Sequence, residues 1–278
     1  GKTPLVIWLA GRLQRRGLTV GVISRGYGRA RGGARRLHSG SRWEEVGDEP
    51  LLIHRRTGCP LIVAEDRASA ARRLAADGVD VILSDDGLQH LRLARDLEIV
   101  VIDGVRGMGN GQLLPAGPLR EPASRALDAG FVIVNGEAAV RRASLDALLR
   151  ERAGPTAAMH LGLGEACRLD GGSRSQPLER FAPGPVHAVA GIGHPARFFG
   201  ALKRQGLRIV EHAYPDHHPF ARGELDFPDE LPILMTEKDA VRCASFATPR
   251  QWYVPVEAQL AEADAAALLD LVSERIKR

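Results

Sequence analysis

The sequence predicts an α/β protein: a parallel sheet with helices on both faces, followed by a second, smaller α/β domain. Two observations carry that prediction. Short, almost wholly apolar runs such as "LTVGVIS", "LEIVVIDG" and "GFVIVNG" alternate with helical patterns, which is how strands buried on both faces of a parallel sheet read. And Ser24, Glu65, Asp85, Asp86 and Asp103 stand where apolar runs end, at the carboxyl edge where such sheets bind ligands.

In chain order, "LVIWLAGRLQRRG" reads as a helix closed by Gly17, and Leu18–Ser24 as a buried strand. "RGYGRARGGARR" is a glycine- and arginine-rich loop, and "GDEPLLIHRRTG" a short helix with Asp48 and Glu49 in its first turn. "PLIVAE" is a strand, and "DRASAARRLAADG" a helix begun by Asp66 and stopped by Gly78. "VDVILSDDG" is a strand ending in two carboxylates, with further strands at "LEIVVIDG" and "GFVIVNG" separated by the Gly/Pro-rich loop "NGQLLPAGPLREP". From about residue 150 the texture changes. A strand, helix and strand lead into the His-rich "YPDHHPF"; then come a strand and helix start in "LPILMTEKDAVRC" and a terminal helix in "DAAALLDLVSERIKR". The expected domains are 1–150 and 151–278.

The 278 residues are 44% hydrophobic and 26% charged, ordinary for a globular chain. No apolar run approaches the ~20 residues of a membrane span. Cys59, Cys167 and Cys243 share no metal-ligand spacing, which fits small buried hydrophobes in a reducing compartment. The net charge of +4 is unevenly placed: Lys2, Arg12, Arg15, Arg16, Arg25, Arg29, Arg31, Arg35 and Arg36 precede the first acid. A one-signed block suits phosphates, anionic lipid or nucleic acid, or is simply a solvated surface. Aromatic content of 5%, without a stacking motif, argues against nucleic acid.

The chain opens "GKTP". Gly1-Lys2-Thr3 before a helix is the back half of a phosphate-binding loop: helix amides hold phosphate oxygens, the lysine reaches the terminal phosphates and the threonine hydroxyl meets Mg²⁺. The tripeptide alone is weak. "SDD" at a strand tip strengthens it, because P-loop enzymes place a Mg²⁺-orienting carboxylate there. Asp85 and Asp86 could also cap a turn, although adjacent carboxylates favour a nearby cation. For Asp48, spacing favours a helix-dipole partner over a catalytic base. His217 and His218 lie between Pro215 and Pro219; zinc is disfavoured for want of further ligands, and a solvated surface loop is as good a reading as a site.

"GKTP", "SRGYGR", "GDEP", "EDR", "SDDGLQH", "LLPAGPLREP", "GIGHPARFF", "YPDHHPF" and "TEKDAVR" stand in an order that resembles the tetraacyldisaccharide 4′-kinase family over essentially the whole chain. The resemblance implies a P-loop NTPase-type sheet. It implies transfer of the γ-phosphoryl group of ATP, with Mg²⁺, to the 4′-hydroxyl of a tetraacyldisaccharide 1-phosphate, a glycolipid. The setting it implies is peripheral, on an anionic membrane surface at the cytoplasmic face of the inner membrane, with no nucleic-acid partner.

By motif, Gly1, Lys2, Thr3, Pro4 and Arg120 are expected at the nucleotide, and Thr3, Asp85, Asp86 and Glu121 at the metal. Asp48 and His217 form the expected catalytic pair, reaching from one domain to the other, and Tyr27, Arg67, Gln89 and His90 are expected at the substrate. In the family a longer loop, a strand and a hydrophobic helix precede "GKTP", which sets an expectation of weakened ATP and membrane binding here. A nucleic-acid-dependent P-loop ATPase and an inactive lipid-binding fragment are the competing readings.

Overall fold

In the computed structural model, which describes residues 1–30, 32–136, 143–172 and 175–276, the apolar runs form strands where the pattern predicts them. Arg31 of the basic block and the last two residues of the terminal-helix pattern lie outside the described residues. The chain divides into two compact units, each built from separate segments. The first comprises Gly1–Arg25, Cys59–Gly162 and Ala258–Arg278; the second comprises Gly26–Gly58 and Leu163–Glu257.

The first unit starts with helix α1 (Lys2–Arg15), which buries Leu5, Leu9, Ala10 and Leu13 along one stripe. Strand β1 (Val20–Ser24) is buried at every position. It pairs in parallel with β3 (Leu61–Val63) on one side and β4 (Val81–Ser84) on the other. Helix α4 (Arg67–Ala76) joins β3 to β4; Asp66 caps it by accepting the Ser69 amide, and Ala70 and Leu74 pack against Ile23 and Ile62. Three further parallel strands, β5 (Ile99–Asp103), β6 (Phe131–Asn135) and β7 (Thr156–Leu163), stand side by side in that order. Strand β14 (Val256–Leu260) adds to β7, and helix α9 (Glu262–Ile276) closes the unit.

The second unit takes its first segment from the glycine-rich loop, a short strand β2 (Arg35–Arg36), a short helix α2 (Trp43–Val46) and helix α3 (Asp48–Thr57). Its sheet runs β11 (Arg208–Ala213), β10 (Pro185–Ala190), β12 (Ile233–Thr236), β13 (Gln251–Val254), β8 (Ala166–Arg168) and β9 (Ser175–Gln176). The first four strands are parallel; β8 and β9 are an antiparallel edge. Helix α7 (Pro195–Arg204) buries Phe198, Phe199 and Leu202 in a core with Trp252 and Val254. Helix α8 (Glu237–Cys243) follows β12, with Thr236 as its cap accepting the Asp239 amide.

The division therefore differs from the expected boundary at residue 150. Most of β7 and β14 and all of α9 lie in the first unit, while residues 26–58 lie in the second. The physical reason is that sheet membership follows hydrogen-bond pairing, which a local pattern does not carry.

Candidate functional site

In the first unit, Gly1 caps α1 and Lys2, Thr3 and Pro4 form its first turn, which contains no acid. Four backbone groups at such an end lack intrahelical partners, and proline forfeits none that the helix needs. A Cβ at Gly1 would lie 2.9 Å from Cε of Met159 and 3.0 Å from Nδ2 of Asn135. The Lys2 ammonium pairs with Oδ1 of Asp86. The Arg120 guanidinium reaches Oδ2 of the same carboxylate at 3.3 Å. Burial pushes the Asp86 carboxyl up, but Lys2 and Arg120 together outweigh it and hold it below the ordinary carboxylate value.

Asp85, directly after β4, is 3% exposed. Arg67 is buried beneath this turn and donates to the carbonyl of Asp86 at 2.7 Å and that of Asp85 at 3.3 Å. Burial lowers the Arg67 guanidinium from its usual value, against the pull of Asp86 and Asp85. Burial likewise lowers His90, with Arg67 adding to it. Gln89 donates to Glu121 at 2.7 Å, and Arg120 reaches back to Gln89 at 3.5 Å. Arg125 holds Glu121 at 3.2 Å. One connected set thus joins Lys2, Asp86, Arg120, Gln89 and Glu121.

Thr3 offers a neutral hydroxyl and Asp85 and Asp86 carboxylates, the hard oxygen donors that suit Mg²⁺. Among the described residues no group of three or more His, Cys, Asp or Glu side chains forms a self-sufficient metal cage.

The second unit assembles the other expected pair. Gly47 has φ +91, and a Cβ there would press on the Tyr27 carbonyl at 3.0 Å, so glycine is needed to launch α3 with Asp48 as its first residue. Asp48 is 3% exposed. Its Oδ1 accepts the Glu49 amide at 2.8 Å, and its Oδ2 lies 3.0 Å from Nδ1 of His217. The Tyr27 ring packs on the His217 ring with centroids 5.3 Å apart. So Asp48, His217 and Tyr27 meet within one unit. The sequence reading expected a pair reaching from one domain to the other; instead residues 26–58 bring Asp48 into the same unit as "PDHH".

Two residues beside this pair, Lys238 and Arg242, are absent from the sequence-based set. Lys238 lies 3.3 Å from Nε2 of His217, 3.2 Å from Glu49 and 3.6 Å from Asp216. The Arg242 guanidinium, fully enclosed, sits 3.7 Å from Asp48, pairs with Asp239, and donates to the carbonyls of His218 and Gly191. Lys238 and Arg242 are four apart on α8, a spacing that puts both cations on one helix face; that was the available signal. Backbone geometry gives another. Among the described residues, the non-glycine residues with positive φ are Asp86 (50°) and His217 (60°). Such conformations cost free energy and concentrate at functional sites.

A family model described as tetraacyldisaccharide-1-P 4′-kinase matches residues 1–276. The chain belongs to that family. Two curated relatives carry the name tetraacyldisaccharide 4′-kinase. The protein of Alkalilimnicola ehrlichii is 52% identical over 261 residues, covering 93% of this chain and 74% of the relative. That of Xanthomonas euvesicatoria pv. vesicatoria is 47% identical over 289 residues, covering all of this chain and 80% of the relative. A solved structure of LpxK from Aquifex aeolicus in complex with ATP matches with a TM-score of 0.78 at 26% identity, over 99% of this chain and 84% of that one. The α/β architecture is thus that of the kinase family.

Proposed function

We propose that this chain transfers the γ-phosphoryl group of ATP to the 4′-hydroxyl of a tetraacyldisaccharide 1-phosphate. The observation that carries the reading is the Lys2 ammonium, at the head of α1, resting on Asp86 beside the buried Asp85, in a chain of the tetraacyldisaccharide kinase family. The α1 amides and Lys2 bind the phosphates, and Arg120 neutralises their charge. Lys2 exchanges its carboxylate partner for phosphate oxygens of like charge, so no cation is left uncompensated. Thr3, Asp85 and Asp86 would hold Mg²⁺, which would supply charge neutralisation at the phosphate oxygens; Glu121 is linked to Asp86 through Gln89 and Arg120. Arg67 stiffens the turn that presents these acids.

Asp48 takes the proton from the acceptor hydroxyl, and His217 orients its carboxylate. Tyr27, 69% exposed beside His217, is placed for contact with substrate, and Gln89 and His90 are assigned the same role in the first unit. The membrane association is peripheral, at the cytoplasmic face of the inner membrane, and the basic block supports it. No described helix is long and apolar enough to cross a bilayer. Part of the block is neutralised within the chain, since Arg16 pairs with Asp270 and Arg35 with Glu45.

The test is transfer of ³²P from labelled ATP to a tetraacyldisaccharide 1-phosphate by the purified chain. Label at the 4′-position supports the reading. ATP hydrolysis without labelled lipid contradicts it.

A further inference from the structure

We propose that Lys238 is a positioning residue for the Asp48–His217 pair, fixing which nitrogen of His217 carries the proton. The argument is one of donor inventory. A lysine ammonium has three N–H donors and no acceptor. Its Nζ lies 3.3 Å from Nε2 of His217, so that nitrogen must accept and carries no hydrogen. The ring's one proton is then on Nδ1, which lies 3.0 Å from Oδ2 of Asp48 and donates to it. The hydrogen bond at one imidazole nitrogen thereby sets the state of the other.

The groups around the ring agree. Asp48 and Glu49 face the cluster from α3, Asp216 from the loop that carries His217, and Lys238 and Arg242 from α8, with Tyr27 packed on the ring. Lys238 is itself held by Glu49 and Asp216, at 3.2 and 3.6 Å. Burial works against its charge, yet Glu49, Asp48 and Asp216 more than restore it and raise the ammonium above its ordinary value. A proton on Nε2 would point at this ammonium 3.3 Å away, so the geometry places it on the other ring nitrogen. A neutral ring donating through Nδ1 steadies the Asp48 carboxylate without a second full cation, and leaves Asp48 as the group with room for a proton. Lys238 touches no reacting atom in this account.

The kinetic part of this inference rests on the reading of Asp48 as the proton acceptor; the proton position does not. The experiment is a two-bond ¹H–¹⁵N correlation on the histidine-labelled chain, with His217 assigned by its loss in His217→Gln. The expected result is an unprotonated Nε2 and a protonated Nδ1 near neutral pH. A proton on Nε2 in the unaltered chain overturns the proposal without any variant. In Lys238→Met the ring should gain a proton at Nε2, and an unchanged pattern overturns the proposal; Lys238→Arg, which keeps a donor-only cation, should retain the original pattern.

In the transfer assay Lys238→Met should lower kcat about 10-fold, a fraction of the ~10²–10⁴-fold that general-base help supplies, with KM for ATP unchanged. Lys238→Arg should recover most of the loss. A shifted proton with unchanged kcat overturns the positioning role. If instead Asp48→Asn leaves kcat unchanged, the base assignment fails, whatever the spectra show.

Discussion

The two candidate centres are built on opposite principles. In the first unit, the Lys2 and Asp86 side chains are 52% and 41% exposed. In the second, the Asp48 side chain is 4% exposed and that of its neighbour Arg242 is not exposed at all. An exposed ion pair contributes only about 0–1 kcal/mol and is easily exchanged. A buried network is costly to assemble and costly to break, because a remaining partner is left as an uncompensated charge. The difference matches the role proposed for each centre. In that proposal Lys2 releases a carboxylate and accepts phosphate, and Asp48 stays in one orientation while a proton arrives.

Stability measurements can break that comparison. The largest effect is expected at Arg242, which serves Asp239 and Asp48 and donates to two carbonyls. Arg242→Met should cost roughly 3–5 kcal/mol in denaturant unfolding, the usual range when one partner of a buried ion pair is removed. A loss below about 1 kcal/mol would mean that this network is not the rigid one. Thr236→Ala comes next. It removes both the cap of α8 and a hydrogen bond to Asp239, and should cost about 0.5–2 kcal/mol. Lys2→Met should shift stability by less than about 1 kcal/mol while abolishing phosphoryl transfer. A large stability loss there would place Lys2 among the structural residues.

The smallest effect sharpens the comparison through pH. Lys2 and Arg120 hold Asp86 below the ordinary carboxylate value despite burial. Its folded state is therefore favoured above the unfolded carboxylate value of about 3.9. That contribution is lost as pH falls through the lower folded value. Burial pushes the Asp239 and Glu237 carboxyls up, which acts in the opposite sense over the acid range. The quantity to measure is therefore the difference between the unaltered chain and Lys2→Met in acid unfolding. It should shrink below about pH 4 and be flat above. A difference that is flat throughout would remove the ion pair from the account.

Much of the fold was legible because its strands are short and wholly apolar. β1, β4, β5 and β6 fall inside the runs that predict them, and α4 begins at the Asp66 cap. The assignment of segments to units was not legible. β7 alternates buried and exposed positions like an ordinary edge element, and nothing in its residues says which sheet it joins. At the sites, the Lys2–Asp86 cluster was accessible to motif reasoning because a phosphate loop and a strand-tip acid have a known mechanical relation. The Asp48–His217 contact joins residues 169 apart and followed only from family resemblance. Lys238 and Arg242 lay in a quoted motif, "TEKDAVR", but no local spacing ties them to a carboxylate so remote in sequence.

The central claim is that Asp48 and His217 act as one unit on the acceptor hydroxyl, and a double-mutant cycle on kcat tests it most directly. Asp48→Asn should lower kcat by about 10²–10⁴-fold with little change in KM for ATP, because the phosphate-binding residues are untouched. His217→Ala should act in the same direction but more mildly. The double variant should be little worse than Asp48→Asn alone, since residues that work together are non-additive. Fully multiplicative losses would mean that the two side chains act independently, and would contradict the account.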